Sequence, residues 1–182
     1  MFRQNKYNPI IRIFAYSFFM HFILTGSLSA QYNSEVLKAA YIERITRFIE
    51  WPQSSGIKDS SVFVIGIYEE QGFFNSLTGL LQDKTIKDRK VKVLKITNPD
   101  QIKSCDIFYI SAKGKQDIKK FVTLANENGV LMMSEAKGFG EAGIHINFFI
   151  EDEKLKFEIN KESVDSGKLK VGSMLMKSSK IL

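Results

Sequence analysis

The amino-acid sequence predicts an α/β domain: a mostly parallel sheet with helices on both faces, ending in an antiparallel hairpin and a closing helix. Three observations predict it. Apolar, β-branched runs alternate with stretches of helical periodicity, the order that builds one largely parallel sheet. Val62–Tyr68 is apolar without a break, as a strand buried on both faces is. Near the end, two strand-like runs are separated only by residues 151–154, a spacing suited to a hairpin at a sheet edge.

The first thirty residues stand apart. Arg3, Lys6 and Arg12 are basic, and no acid precedes Glu35. Residues 13–24 are almost entirely apolar and rich in Phe, and Ser27, Ser29 and Ala30 follow. A basic start, a short apolar middle and a small-residue exit are the three parts of a secretory signal peptide. Cleavage is expected after Ala30, with Ser29 as the alternative. The apolar run is shorter than the roughly 20 residues of a spanning helix, and Tyr16, Ser17 and His21 interrupt it. The division is therefore residues 1–30 as signal peptide and 31–182 as the α/β domain, with no membrane span after cleavage. The sole cysteine, Cys105, lies far from the exit, which argues against a lipid anchor.

Residues 34–50 carry Leu37, Tyr41, Ile45, Phe48 and Ile49 at helical spacing, with Ser34 as N-cap. Pro52 stops this helix at Trp51, the only tryptophan, because the residue before proline avoids helical geometry. Residues 53–61 read as a polar linker. After the strand Val62–Tyr68, residues 69–72 turn and 73–81 look helical. Residues 83–90 read as a charged loop. Residues 91–96 alternate apolar residues with lysine, as a half-buried strand does. Asn98-Pro99 marks a turn and a short helix start. Ile107–Ile110 is a buried strand. Residues 116–126 form a helix with Ile118, Phe121, Val122 and Ala125 on one side, closed by Asn128-Gly129. Residues 130–133, 144–150 and 155–159 are strands. A last helix is expected over 171–182, with Val171, Met174, Leu175 and Leu182 on its apolar side.

Composition excludes several functions. The chain has 182 residues and a net charge of +6, which falls to +3 once the three basic residues of the leader are removed. A mild, mixed-sign balance does not call for nucleic acid. No His, Cys or Asp set has metal-ligand spacing, so no metal or cofactor is expected. No nucleophile elbow or phosphate loop occurs. His21 leaves with the leader, so His145 is the one imidazole a hydrolase would have; flanked by Ile144 and Ile146 in a strand, it reads as structural. Catalytic residues are therefore not assigned. Cys105 beside an apolar run reads as a buried, inert thiol.

Several segments match one family in order and spacing. They are Lys38-Ala-Ala-Tyr-Ile-Glu-Arg-Ile-Thr-Arg-Phe-Ile-Glu-Trp-Pro52, Val64-Ile-Gly-Ile-Tyr68 and Ser104-Cys-Asp-Ile-Phe-Tyr-Ile110. Val130-Leu-Met-Met-Ser-Glu135, Gly138-Phe139 and Gly143-Ile-His-Ile-Asn-Phe148 follow. Phe157-Glu-Ile-Asn160 and Leu169-Lys-Val-Gly-Ser-Met-Leu175 complete the set. From about residue 35 to the end, the chain resembles the YfiR-like family of periplasmic proteins. The resemblance implies a three-layer α/β/α sandwich, often a homodimer. It also implies a regulator in cyclic di-GMP signalling, one that binds the periplasmic domain of an inner-membrane signalling protein such as a diguanylate cyclase and holds it inactive. The chain departs from the best-known relatives in having Cys105 in place of paired cysteines. Gly172-Ser173 stands where two serines usually begin the closing helix, and Ala142-Gly143 where a double glycine is often seen.

Two sets of candidate residues follow. A partner surface would use Phe48 and Trp51 at the end of the first helix, with Glu158 and Asn160 on one face of their strand. A small-molecule sensor would use Ser111, Lys113 and Ser134, which follow strands at the sheet end where α/β folds place ligands.

Overall fold

The computed structural model describes residues 34–52 and 61–182. The proposed leader and most of the polar linker lie outside the described residues. Residues 35–182 form one compact unit.

A helix, α1, runs over residues 34–46, followed by a turn at Arg47 and Phe48. The elements after it are β1 (Ile49–Glu50), β2 (Val62–Tyr68), α2 (Gln71–Leu81), β3 (Thr85–Ile86) and β4 (Arg89–Ile96). A 3₁₀ helix, Pro99–Ser104, leads to β5 (Ile107–Ile110), and a second, Ala112–Asp117, leads into α3 (Ile118–Asn128). Then come β6 (Leu131–Ser134), β7 (Ile146–Glu151), β8 (Lys154–Ile159) and α4 (Lys161–Ser166). β9 (Lys170–Val171), α5 (Ser173–Lys177) and β10 (Lys180–Ile181) close the chain.

Eight strands form one sheet in the order β10-β8-β7-β6-β5-β2-β4-β3. The expected mostly parallel sheet is corrected to a mixed one. β4, β2, β5, β6 and β7 run parallel, whereas β3 and β8 oppose their neighbours. β10 then lies parallel to β8 at the far edge. The hairpin β7–β8 is in the expected place, with Asp152 and Glu153 at positive φ as a two-residue turn requires.

Both faces of the sheet are covered, giving three layers. One face carries Ile65, Ile67, Tyr109, Met133 and Phe148 against Ile42, Ile45, Phe73 and Leu77 of α1 and α2. The other carries Phe108, Ile110 and Met132 against Ile102, Phe121 and Ala125. Alternate residues of β5 serve opposite cores, the physical meaning of a run without polar breaks.

Three element assignments change. Phe48 and Ile49 leave the first helix, because Ile49 pairs with Val171 in a separate two-stranded sheet, β1 with β9. The charged loop 83–90 contains a hairpin: Thr85 and Ile86 pair with Lys90 and Arg89 across Lys87-Asp88, both at positive φ. The closing helix 171–182 is only the five residues of α5. Val171 is held in β9, and Ser178 at the C-cap ends the helix so that Lys180 and Ile181 can join β8.

Candidate functional site

α1 buries Ala39, Ile42 and Ile45 and turns Tyr41 and Arg44 toward its flank. Tyr41 stands edge-on to Phe148 and Phe157, with centroids 6.2 and 6.3 Å away, and its hydroxyl donates to the Leu155 carbonyl at 3.5 Å. Phe48 is fixed just beyond the helix. Its amide donates to the Ile45 carbonyl at 2.9 Å, and its own carbonyl accepts the Gly172 N–H at 2.8 Å. That last bond draws α5 alongside α1.

Between α1, β8 and α5 lies a groove of about 500 Å³. Ile45, Leu155, Phe157 and Leu175 form its apolar floor, and Tyr41, Phe48 and Met174 its walls. Arg44, Lys156 and Ser178 complete the lining, which contains no acid. Met174 is 66% exposed, although an apolar side chain gains from burial. Leu37, one helical turn before Tyr41, and Ile150, directly across the hairpin from Leu155, are also exposed. Lys156 meets Glu151, whose carboxylate accepts its hydrogen bond and raises the ammonium pKa above its ordinary value. An apolar floor under a cationic rim can take an apolar protein surface with acidic flanks.

Of the four residues proposed for a partner, only Phe48 lines this groove. Trp51 closes the other end of the core: its Nε1 donates to the Asp106 carbonyl at 3.0 Å, and its ring meets Phe63 edge-on at 5.4 Å. Glu158 and Asn160 come together around Gly140. Asn160 Nδ2 donates to the Gly140 carbonyl at 2.8 Å, and its Oδ1 accepts the Ser163 N–H at 2.8 Å, capping α4. Glu158 is buried and accepts from Asn147 at 3.1 Å and from Lys180 at 3.2 Å. A Cβ on Gly140 would lie 2.5 Å from Glu158 Oε1 and 2.6 Å from Leu182 Cδ1, so a larger residue there would displace the end of one or both side chains.

The proposed ligand residues lie at the carboxyl ends of β5 and β6, as expected from strand order. Ser111 Oγ donates to the Glu69 carbonyl at 3.2 Å and accepts the Lys113 N–H at 3.3 Å. Ser134 is fully buried, donating to the Ile110 carbonyl at 2.7 Å and accepting the Ala136 N–H at 3.2 Å. Both serines thus serve turns. Lys113 alone lines a cleft of about 450 Å³, together with Glu69, Glu70, Gln71 and Lys95.

His145 is wholly buried in the second core. Its Nδ1 accepts the Met132 N–H at 2.9 Å, so Nε2 carries the proton and donates to Asn126 Oδ1 at 2.8 Å. Burial lowers its pKa to about 4. A neutral imidazole with both nitrogens occupied has none left for a substrate. Among the described residues no cluster of His, Cys, Asp and Glu could hold a metal ion. No described helix is long and apolar enough to cross a membrane.

Sequence reasoning missed Arg44, Leu155, Lys156 and Met174 as groove residues. They come from three separate segments, and the signal available, a wide apolar surface on the first helix, did not say where that surface would be left open.

Comparison with known proteins gives a family and a fold. Residues 35–180 match the family described as YfiR/HmsC-like. No curated protein matches. Among solved structures, a conserved domain protein from Vibrio cholerae aligns at a TM-score of 0.53 and 12% identity, covering 81% of this chain and 59% of that one. An ABC domain in complex with L-Trp from Streptococcus pneumonia aligns at a TM-score of 0.46 and 9% identity, covering 66% of this chain and 55% of that one. The chain thus spans little more than half the length of either solved chain.

Proposed function

The chain belongs to the YfiR/HmsC-like family, a family of periplasmic regulators, and from that premise we propose that it is a binding protein that restrains a membrane signalling enzyme through the groove between α1, β8 and α5. The partner is the periplasmic domain of an inner-membrane diguanylate cyclase or sensor kinase. The action is regulatory rather than catalytic. By holding the partner's inactive state more tightly than its active state, the protein shifts the equilibrium between them. A tenfold preference shifts it by about 1.4 kcal/mol, and equal affinity would shift nothing.

The observation that supports this reading is Met174. It is the most exposed large apolar side chain of the described residues, it stands over the groove, and no ion pair or hydrogen bond of its side chain accounts for it. Met174→Asp puts a charge into the contact without opening the core. Folding stability should change by less than about 0.5 kcal/mol, as for an ordinary surface change. Capture of an inner-membrane protein from detergent extracts should fall more than about tenfold. Undiminished capture by the variant, or recovery of soluble proteins alone by the unchanged chain, rejects the reading. Sedimentation of the same preparation tests the homodimer that the resemblance implies.

A second reading has one observation of its own: Lys113 and Lys95, with Glu69 and Glu70 beside them, line the cleft at the carboxyl ends of the strands, where a small charged molecule would bind. A ligand-screening melt with nucleotides, amino acids and sugar acids tests it. A rise in melting temperature that Lys113→Ala abolishes supports it, and no rise with any of them removes it.

A further inference from the structure

The sheet has one long edge that the described residues cover only in part. β4 is eight residues long, and β3 pairs with just its first two. The direction of the backbone groups along β4 is fixed by two bonds. The Lys90 N–H points inward, to the Ser61 carbonyl at 3.1 Å, and the Val91 N–H points outward, to the Lys84 carbonyl at 3.2 Å. Strand alternation then turns the N–H and C=O of Val93 and Lys95 outward as well. At the far end the Thr97 N–H, also outward, is taken by Gln101 Oε1 at 2.9 Å. Between these two closures, the outward groups of Val93 and Lys95 meet no partner among the described residues.

This stretch is flanked by positive charge. Lys90 and Lys92 project from one face of β4, and Lys95 from the other; all three are exposed. Lys90 and Lys92 have no ion pair among the described residues, and Lys95 donates to the neutral Gln71 side chain at 2.9 Å. Val91 and Val93 supply half-buried apolar contacts on one face. We propose that the open edge of β4 accepts an extended acidic segment of a partner protein as an added strand. Main-chain bonds to Val93 and Lys95 would hold it, and Lys90, Lys92 and Lys95 would select its carboxylates. A second copy of this chain is a poor occupant of the same edge. Pairing β4 with β4 would bring lysines against lysines, and like charges directly across a ladder repel.

The lysines also have a simpler use, keeping an exposed edge from pairing at all, and the test separates the two. The probe is a peptide of about ten residues, alternating valine and glutamate, long enough to span the open stretch. Its controls are the same peptide with lysine for glutamate, and with N-methyl groups on the donors of one edge. The acidic peptide should slow amide exchange at Val93 and Lys95 by at least about tenfold, and its affinity should fall as salt rises from about 0.05 to 0.5 M. The lysine and N-methylated peptides should do neither. Val93→Pro, which removes one outward donor at an edge where proline is tolerated, should weaken binding with circular dichroism unchanged. If that variant does not fold, the N-methylated peptide asks the same question of the intact protein. Equal binding of the acidic and basic peptides, protection elsewhere with none at Val93 and Lys95, or no binding at all overturns the proposal.

Discussion

Asp106 receives both terminal nitrogens of Arg89, at 3.0 and 2.9 Å, and so ties the start of β4 to the entrance of β5 across the strand between them. The same carboxylate accepts the Val64 N–H of β2 at 2.8 Å, and Arg89 also donates to the Val62 carbonyl. The guanidinium lies 5.3 Å over the Phe63 ring, which also meets the Trp51 ring edge-on. Three parallel strands, a tryptophan and an arginine thus converge on one buried residue, Asp106, the tryptophan on its carbonyl and the rest on its carboxylate.

Replacing that carboxylate should therefore be severe. Asp106→Ala removes the carboxylate from beside a largely buried guanidinium and from the Val64 amide that it accepts. A loss of about 3–5 kcal/mol is expected, measured as a lower urea midpoint. Trp51 fluorescence reports the transition directly, since it is the only tryptophan in the chain. A loss below about 1 kcal/mol would mean that the pair is as weak as a surface one.

His145 makes stability depend on pH. In the unfolded chain an imidazole takes a proton near pH 6.5, whereas in the fold this one resists until about pH 4, because burial penalises its charge. The unfolded state therefore binds the extra proton first. This contribution to stability is fully present above about pH 6.5 and is lost as pH falls toward 4. The span corresponds to about 3 kcal/mol. In His145→Gln the difference from the parent, followed by urea unfolding at several pH values, should shrink over that window. An NMR titration showing the ring protonated near pH 6.5 in the folded protein would contradict the account.

Gly129 ends α3 in the left-handed region at φ 58°, where its N–H bonds back to the Asn126 carbonyl. A Cβ there would lie 2.4 Å from Pro52 Cγ. Gly129→Ala should thus combine left-handed strain of about 1 kcal/mol with a displaced Pro52. The expected result is a lower melting temperature together with a shifted Trp51 emission, because Trp51 precedes that proline. Lowered stability with unchanged emission would show that the proline does not move.

The legible parts of the fold share a physical cause. Val62–Tyr68 and Ile107–Ile110 could be read because strands buried on both faces leave short apolar runs, and the β7–β8 hairpin because two strand-like runs stand only a few residues apart. The β3–β4 hairpin could not, since its turn is Lys87-Asp88. Neither residue advertises the positive φ it adopts, where Asn-Gly would have done so. The closing segment misled for the opposite reason. Val171, Met174 and Leu175 have helical spacing, yet Val171 is claimed by Ile49 from the far end of the domain.

The site was legible only in fragments. Of the residues proposed for a partner, Phe48 lines the groove, while Trp51, Glu158 and Asn160 find hydrogen-bond partners inside the fold; Met174, placed on the apolar side of the closing helix, stands exposed over the groove.

By itself the chain of residues determined the alternation of strands and helices, the capping glycine of α3, the burial of His145 between two isoleucines, and the family motifs. These depend on neighbours a few positions apart, whose periodicity and backbone preferences are local. Tertiary structure alone decided which apolar side chains stay uncovered and which strand edge stays open. Exposure is a property of what packs from elsewhere, and the groove needed α1 to meet β8 and α5, which lie more than a hundred positions further along the chain.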